Sequence, residues 1–170
     1  NIPCITSITH SGSHAGYYPG AETVSIKLVF SKGNGRILGA QAVGYKGVDK
    51  RIDIIAAVIK MNGSVYDLAE IEHAYAPPYS SAKDPVNIAG FVAENILKGK
   101  VKNISWDKLN ELKPSDTYII DVRTQGEFEE DTIKNAVNIP VDELRERIRE
   151  IKQKKNIVVF CRVGLRAYLA

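Results

Sequence analysis

The run Ile157-Val158-Val159-Phe160-Cys161-Arg162-Val163-Gly164-Leu165-Arg166 sets a cysteine directly behind a short apolar stretch. Such a stretch reads as a buried strand, and a glycine and an arginine follow the cysteine around what reads as a helix start at Leu165. In open α/β sheets, ligands bind beyond the carboxyl ends of the strands. A loop there that curls into a helix turns several backbone N–H groups inward, and together they form a nest for an anion. A cysteine in that nest is expected to be a thiolate near neutral pH, because the donors stabilise its charged form. The same loop, Arg162, Val163, Gly164 and Leu165, could then hold a persulfide on Cys161 or an incoming anionic sulfur donor. Gly164 permits a backbone turn barred to most side chains. Arg166 either grips the substrate anion or braces the loop. The plainer alternative is an inert cysteine that packs as a small hydrophobe.

Other chemistries find less support. His10 and His14 form an i, i+4 pair, but Gly12 and Gly16 beside them argue against a helix and so against a metal site; His73 stands apart. Only two cysteines occur, Cys4 and Cys161, too few for a disulfide framework and unclustered for a metal. A reducing, cytoplasmic setting fits that usage. The 170 residues are 44% hydrophobic and 25% charged, ordinary for a globular chain, with a formal net charge of +3. That charge gives no support to nucleic-acid binding, which favours a concentrated basic face. The dense run from Asp142 to Lys155 alternates in sign and reads as a solvated helix face. No apolar stretch reaches the roughly 20 residues that cross a bilayer, and the N-terminus is not a secretory signal. The chain lacks an initial Met and stops within an opening helix, so it reads as part of something longer.

The elements that position these residues follow two rhythms. Val24 to Phe30 alternates as a strand, Ser31 to Gly35 turns, and Arg36 to Val43 returns as its hairpin partner. Val48 to Met61 carries Ile52, Ile55, Ala56 and Ile59 at helical spacing and ends at Asn62-Gly63. A short helix, capped by Ser64, is expected over Val65 to Ile71. Pro77-Pro78 holds the next segment extended. Asp84 then caps a helix over Pro85 to Leu97, with Pro85 in its first turn. Residues 1–100 are thus expected to form an α+β unit whose first strands await partners from upstream chain. Residues 101–104 are a junction, and Ser105 caps a short helix through Leu109. From there strands alternate with helices: Thr117–Val122 (strand), Glu127–Asp131 (helix), Ala136–Ile139 (strand), Val141–Ile151 (amphipathic helix) and Ile157–Phe160 (strand). That alternation predicts an α/β domain over 105–170 with a parallel sheet.

The second half resembles a rhodanese-type sulfurtransferase domain. Ile119-Ile120-Asp121-Val122-Arg123 with Glu127-Phe128 is similar to the first signature of that family, Ala136-Val137-Asn138-Ile139-Pro140 to the second, and Cys161 to Arg166 to the active loop. The resemblance implies that Cys161 carries the sulfur and that Asp121 and Arg123 are ties beneath the loop. Four residues separate Cys161 from Arg166, as in the sulfurtransferases, whereas related phosphatases place five there. Asp131-Thr132 stands where the family usually has Gly-His, which puts the local turn in question. The family domain also runs beyond Ala170, so a domain truncated at its C-terminus is expected.

The first hundred residues resemble the C-terminal dimerisation domain of the flavin-dependent pyridine nucleotide-disulfide oxidoreductases. The resemblance lies in Ser13 to Ala21, in Gly39 to Gly44 and in Ala74 to Asn87. The coenzyme A-disulfide and polysulfide or persulfide reductases are the similar branch, some with a C-terminal rhodanese domain. This implies a homodimer through residues 1–100, with FAD, NAD(P)H and CoA used by the full protein and none of them bound by this chain alone. It also implies that Tyr17 and Tyr75, with Tyr18 and Tyr79 as second choices, lie near a redox centre and can donate a proton. The plainer role for such tyrosines is to fill an interface. Lys83 and Asp84 are expected to fix their loop and cap the next helix. No Gly-x-Gly-x-x-Gly fingerprint is present, and Cys4 receives no role. Implied sulfur donors are persulfide, polysulfide, thiosulfate or CoA disulfide, without nucleic acid or membrane. The competing reading is a non-catalytic dimerisation module with a silent rhodanese-like domain; a small phosphatase is disfavoured by the loop length.

Overall fold

The computed structural model describes residues 2–170 and divides into two compact units, one ending at Lys102 and one spanning Asn103–Ala170. The first unit is a three-stranded antiparallel sheet in the order β1 (Cys4–Gly12), β2 (Thr23–Ser31), β3 (Ile37–Gly44), with three helices on one face. Val24, Ile26, Leu28 and Phe30 alternate along β2 and are all buried, as a strand with one covered face requires. Against them pack Ile55 and Val58 of α1 (Val48–Lys60), Val65 and Leu68 of α2 (Val65–Glu70), and Val86, Ala89 and Ala93 of α3 (Pro85–Leu97).

Two expectations for this unit are corrected. β1 pairs with β2 from Cys4↔Ser31 to Gly12↔Thr23, so β2 is partnered on both edges within this chain. The strand escapes sequence reading because its inward positions, Ile5, Ser7, Thr9 and Ser11, are mostly polar. Second, α1 buries Arg51, Ile55 and Val58, while Ala56 is exposed. The helix is rotated from the purely apolar face because the Arg51 guanidinium finds buried acceptors, described below. The helix ends at Asn62-Gly63 as expected, with Asn62 in the left-handed conformation at φ 57.

Helix α3 has the expected bounds. The Asp84 carboxylate accepts from Val86 N–H (3.0 Å), and the Asn87 side chain accepts from Asp84 N–H (3.1 Å), closing a capping box. Asn87 Nδ2 also donates to the carbonyls of Leu68, Ala69 and Ile71, which ties α3 to the end of α2. The two helices touch at Gly90, where an added Cβ would meet Ala69 N at 2.6 Å and Leu68 Cβ at 3.0 Å. Gly90→Ala must therefore push the helices apart. A loss of about 1–3 kcal/mol is expected, read as a lower urea midpoint with an unchanged slope; an unchanged midpoint would refute the close contact.

The second unit has a parallel sheet in the order β5-β4-β6, with β4 (Thr117–Asp121) between β5 (Val137–Asn138) and β6 (Asn156–Phe160). Short helices α4 (Trp106–Leu109), α5 (Gln125–Glu130) and α6 (Leu165–Leu169) complete the α/β pattern. Its core is Tyr118, Ile120, Val122 and Ile139, with Val141, Leu144, Ile151, Val159, Cys161 and Ala167 packed around it. The expected helix over 141–151 is absent: the segment is a series of turns with one 3-10 turn, Ile148–Glu150. Most of its N–H groups reach back three residues, as in Leu144 to Val141 and Glu146 to Glu143. Val141, Leu144 and Ile151 still reach the core, whereas Ile148 is exposed. The helical spacing thus recorded an apolar face without the i−4 ladder. No helix among the described residues is long and apolar enough to cross a membrane.

Candidate functional site

Cys161 stands just past the carboxyl end of β6, beside the end of β4, since Asp121 pairs with Phe160 and Val122 N–H donates to Phe160 O (3.1 Å). Gly164 turns the chain at φ 93, and its N–H donates to Cys161 Sγ (3.1 Å). Burial works against a thiolate there. The backbone N–H groups of Ala167, Val163, Gly164 and Arg166 outweigh it and hold the Cys161 thiol below its ordinary value. Arg162, Val163 and Leu165 lie on the exposed side of the loop.

Arg166 reaches both Glu127 and the Cys161 side chain. Its Nη1 and Nη2 donate to Glu127 Oε2 (2.6 Å) and Oε1 (2.7 Å), a two-pronged ion pair. Glu127 also closes a capping box with Thr124 at the start of α5. The Arg166 guanidinium, with the Thr124 N–H and hydroxyl, pulls the Glu127 carboxyl down to about 2. The pair with Glu127 is the geometry of a brace, and the contact with Cys161 leaves Arg166 beside the sulfur as well.

Asp121 is fully buried at the end of β4. Its carboxylate accepts from Arg123 N (3.0 Å), Arg123 Nη2 (2.7 Å) and Thr132 Oγ1 (2.9 Å). Burial raises its pKa, but the bonds from Arg123 and Thr132 prevail and hold it below the usual carboxylate range. Arg123 lies over the Phe160 ring and donates to Asp131 O. The Asp131-Thr132 turn, in question from sequence, is thereby tied to Asp121 through the Thr132 hydroxyl. An open cleft of ≈ 270 Å³ lies against the sulfur, lined by Arg123, Asp131, Thr132, Ile133, Phe160, Cys161 and Arg162. No carboxylate pairs with Arg162 among the described residues, so its charge is available to an anion entering the cleft.

In the first unit Tyr17 and Tyr75 meet: their hydroxyls are 2.7 Å apart although both side chains are exposed, Tyr17 at 77% and Tyr75 at 49%. The bond to Tyr17 raises the Tyr75 pKa above its ordinary value. Tyr18 packs edge-on to His14 instead, and Tyr79 is exposed, its N–H donating to Ala76 O and its carbonyl accepting from Lys50 Nζ. Asp84 accepts from Arg51 Nη2 (2.8 Å), Arg51 Nε (3.2 Å) and Ser80 Oγ (2.7 Å). Arg51 is wholly buried and also donates to Gly47 O (2.8 Å) and Ser13 O (2.6 Å). Lys83 sits over the Phe91 ring at 5.6 Å. The pair thus joins the segment after Gly12, the start of α1 and the segment bearing Tyr75. No group of three or more His, Cys, Asp or Glu that could hold a metal occurs among the described residues.

Glu127 and Thr132 are named by the sequence only within motifs and receive no role there, and Arg51 is not singled out at all. Glu127 carries a legible signal, the Thr124-x-x-Glu127 capping box. Arg51 carries none, because an arginine on an amphipathic helix reads as solvent-facing.

Residues 2–85 match the profile of the pyridine nucleotide-disulphide oxidoreductase dimerisation domain, and residues 105–170 match that of the rhodanese-like domain. The Coenzyme A disulfide reductase of Staphylococcus epidermidis is 46% identical over 83 residues, 49% of this chain and 19% of that protein. Among solved structures, the reduced CoADR-RHD of Bacillus anthracis is 47% identical with a TM-score of 0.94, over 98% of this chain and 30% of that one. The NAD-dependent persulfide reductase of A. fulgidus is 40% identical with a TM-score of 0.86, again over 98% of this chain and 30% of that one. The chain therefore spans less than a third of the length of these relatives.

Proposed function

The chain belongs through residues 2–85 to the pyridine nucleotide-disulphide oxidoreductase dimerisation domains and through 105–170 to the rhodanese-like domains, and from this we propose that it is the C-terminal part of a coenzyme A-disulfide or persulfide reductase whose Cys161 carries sulfane sulfur. The observation that carries the reading is the ring of N–H groups on Cys161 Sγ at a strand end, beside an open cleft with a free guanidinium at Arg162. In the sulfur step the Cys161 thiolate attacks the outer sulfur of a persulfide R–S–SH. A new S–S bond forms to Cys161, the old one breaks, and R–S⁻ leaves with its electron pair. Sulfur moves without an external oxidant. The loop N–H groups that hold the thiolate then hold the anionic persulfide.

The reductase half of the reading rests on resemblance. FAD and NAD(P)H would supply the reducing electrons, and CoA the thiol. The sequence carries no Gly-x-Gly-x-x-Gly fingerprint, and those groups would belong to the remainder of the protein. Residues 1–100 would form the homodimer contact, in a reducing, cytoplasmic compartment. The Tyr17–Tyr75 pair would donate a proton to a thiolate leaving group. Its 2.7 Å hydrogen bond supports this, because one hydroxyl can recharge or orient the other.

The test is NAD(P)H-dependent disulfide and persulfide reduction by the intact protein, with Tyr17→Phe, Tyr75→Phe and the double variant. Loss of a positioned proton donor predicts a fall of about 100-fold, with the double variant little worse than the worse single one. Full rates in the double variant would leave the tyrosines as interface filler. The silent-module alternative is favoured only if the wild-type protein shows no thiosulfate:cyanide sulfur transfer.

A further inference from the structure

The ion pair between Arg166 and Glu127 joins two segments 39 residues apart, and the Arg166 side chain also reaches the Cys161 side chain. Both carboxylate oxygens and both terminal guanidinium nitrogens are engaged, at 2.6 and 2.7 Å, which fixes the plane of Arg166 as well as its position. Glu127 is itself held: its Oε2 accepts from Thr124 N–H and Oγ1, both at 3.0 Å, just past the Asp121–Arg123 tie. The loop has few other anchors. Arg162, Val163, Gly164 and Leu165 are all exposed, and Gly164 has nothing within 4 Å of where a Cβ would be. A glycine-containing loop this open keeps several N–H groups on one sulfur only if its far end is fixed.

We infer that Glu127 is the positioning residue of the sulfur-carrying loop: by clamping Arg166 it holds the N–H groups of Val163, Gly164, Arg166 and Ala167 on Cys161 Sγ, and so sets how readily Cys161 forms and keeps its persulfide. The inference rests on the sulfurtransferase reading of Cys161 but concerns a residue that never touches the sulfur. Arg162 is then the cleft guanidinium with no carboxylate partner among the described residues, while Arg123 pairs with Asp121, and Arg166 pairs with Glu127 and reaches Cys161.

Two effects of removing Glu127 oppose each other, which makes the experiment decisive. The charged groups around Cys161 are Arg162, Arg123 and Asp131 in the cleft, with Arg166, whose side chain reaches Cys161, and its partner Glu127. If Glu127 served only as a counter-charge, Glu127→Gln would unmask Arg166 and lower the pH at which Cys161 ionises. If it positions the loop, the N–H groups drift from the sulfur and that pH rises. The measurement is the pH profile of iodoacetamide alkylation in the intact protein, followed on the Cys161-containing peptide by mass spectrometry. For Glu127→Gln the midpoint is expected to rise by about half a unit or more, with alkylation at neutral pH about three- to tenfold slower. Arg166→Lys, which cannot form the two-pronged pair, should give the same direction, and the double variant little more than either single one. Thr124→Ala, which removes one hold on Glu127 but keeps the Glu127–Arg166 pair, should lower stability and move the midpoint clearly less than Glu127→Gln. An unmoved or lowered midpoint in Glu127→Gln overturns the inference, as does additivity with Arg166→Lys or an equal shift in Thr124→Ala. Should the glutamine variant fail to fold, Arg166→Lys against Thr124→Ala decides alone. Alkylation does not require sulfur transfer. Absence of transfer in the wild type would sink the sulfurtransferase reading while leaving this comparison intact.

Discussion

Cys161→Ser is expected to lower thiosulfate:cyanide sulfur transfer and persulfide transfer by at least about 1000-fold, the largest effect of any single change in this chain. The reason lies in what the loop can stabilise. Its N–H groups bring a thiol below an ordinary value of 9.0 against an opposing burial penalty. An alcohol ionises many units higher, so the same donors leave the substituted hydroxyl neutral and weakly nucleophilic. Sulfur is also needed for the S–S bond that stores the transferred atom. The fold should tolerate the change. Cys161 is only half-buried at the rim of the Tyr118–Ile139 core, and serine is nearly isosteric, so a cost under about 1 kcal/mol is expected. Thiocyanate formation reads the transfer, and circular dichroism with urea unfolding reads the fold. A Cys161→Ser protein that keeps a tenth or more of the activity while folded would place the sulfur elsewhere. If the full protein routes sulfur from this domain to a reductase centre, sulfide release should fall with it; unchanged release with every donor would sink that delivery.

The second large effect is on stability. Asp84→Ala should destabilise the first unit by about 3–5 kcal/mol, because it leaves the wholly buried Arg51 guanidinium without its carboxylate. Arg51→Ala should cost a similar amount by stranding Asp84. Replacing both by apolar residues of similar volume should recover most of the loss, since two buried charges are then removed together. Urea unfolding of the three variants checks this; a single variant within about 1 kcal/mol of wild type would show that the pair is not the anchor its geometry indicates. The pair also makes stability depend on pH. Burial pushes the Asp84 carboxyl up, but the bonds from Arg51, Ser80 and Val86 prevail and hold it below its ordinary 3.8. The contribution is therefore complete above the unfolded carboxyl range and is lost as pH falls through the lower folded value. Asp84→Ala should flatten the acid limb of the stability curve. Ser80 and Asp84 border the segment that carries Tyr75, so the same variants should also weaken any chemistry that depends on Tyr17 and Tyr75.

Much of the fold is legible in the sequence because its signals are local. The bounds of α3 follow from an Asp84 cap and Pro85, and the alternation of Val24 to Phe30 marks a half-covered strand. The misreadings have local causes too. β1 hides because its inward side chains are largely hydroxyls, and the 141–151 segment shows apolar spacing that a chain of three-residue turns serves as well as an α-helix. The rotation of α1 comes from a charge that the periodicity could not place indoors.

The order of the two domains, the cysteine at a strand end, the four-residue interval to Arg166 and the glycine that turns the loop between them can all be read along the chain. These are properties of neighbouring residues, and backbone sterics and hydrogen bonding translate them directly. What Arg166 does is a matter of the fold. Its partner lies 39 residues away on another helix, and no periodicity connects them. The same holds for Tyr17 and Tyr75, 58 residues apart, and for Arg51 and Asp84, 33 apart. A side chain's charge says what it can pair with; strand order and helix packing choose the partner, because they alone set which distant groups lose water together.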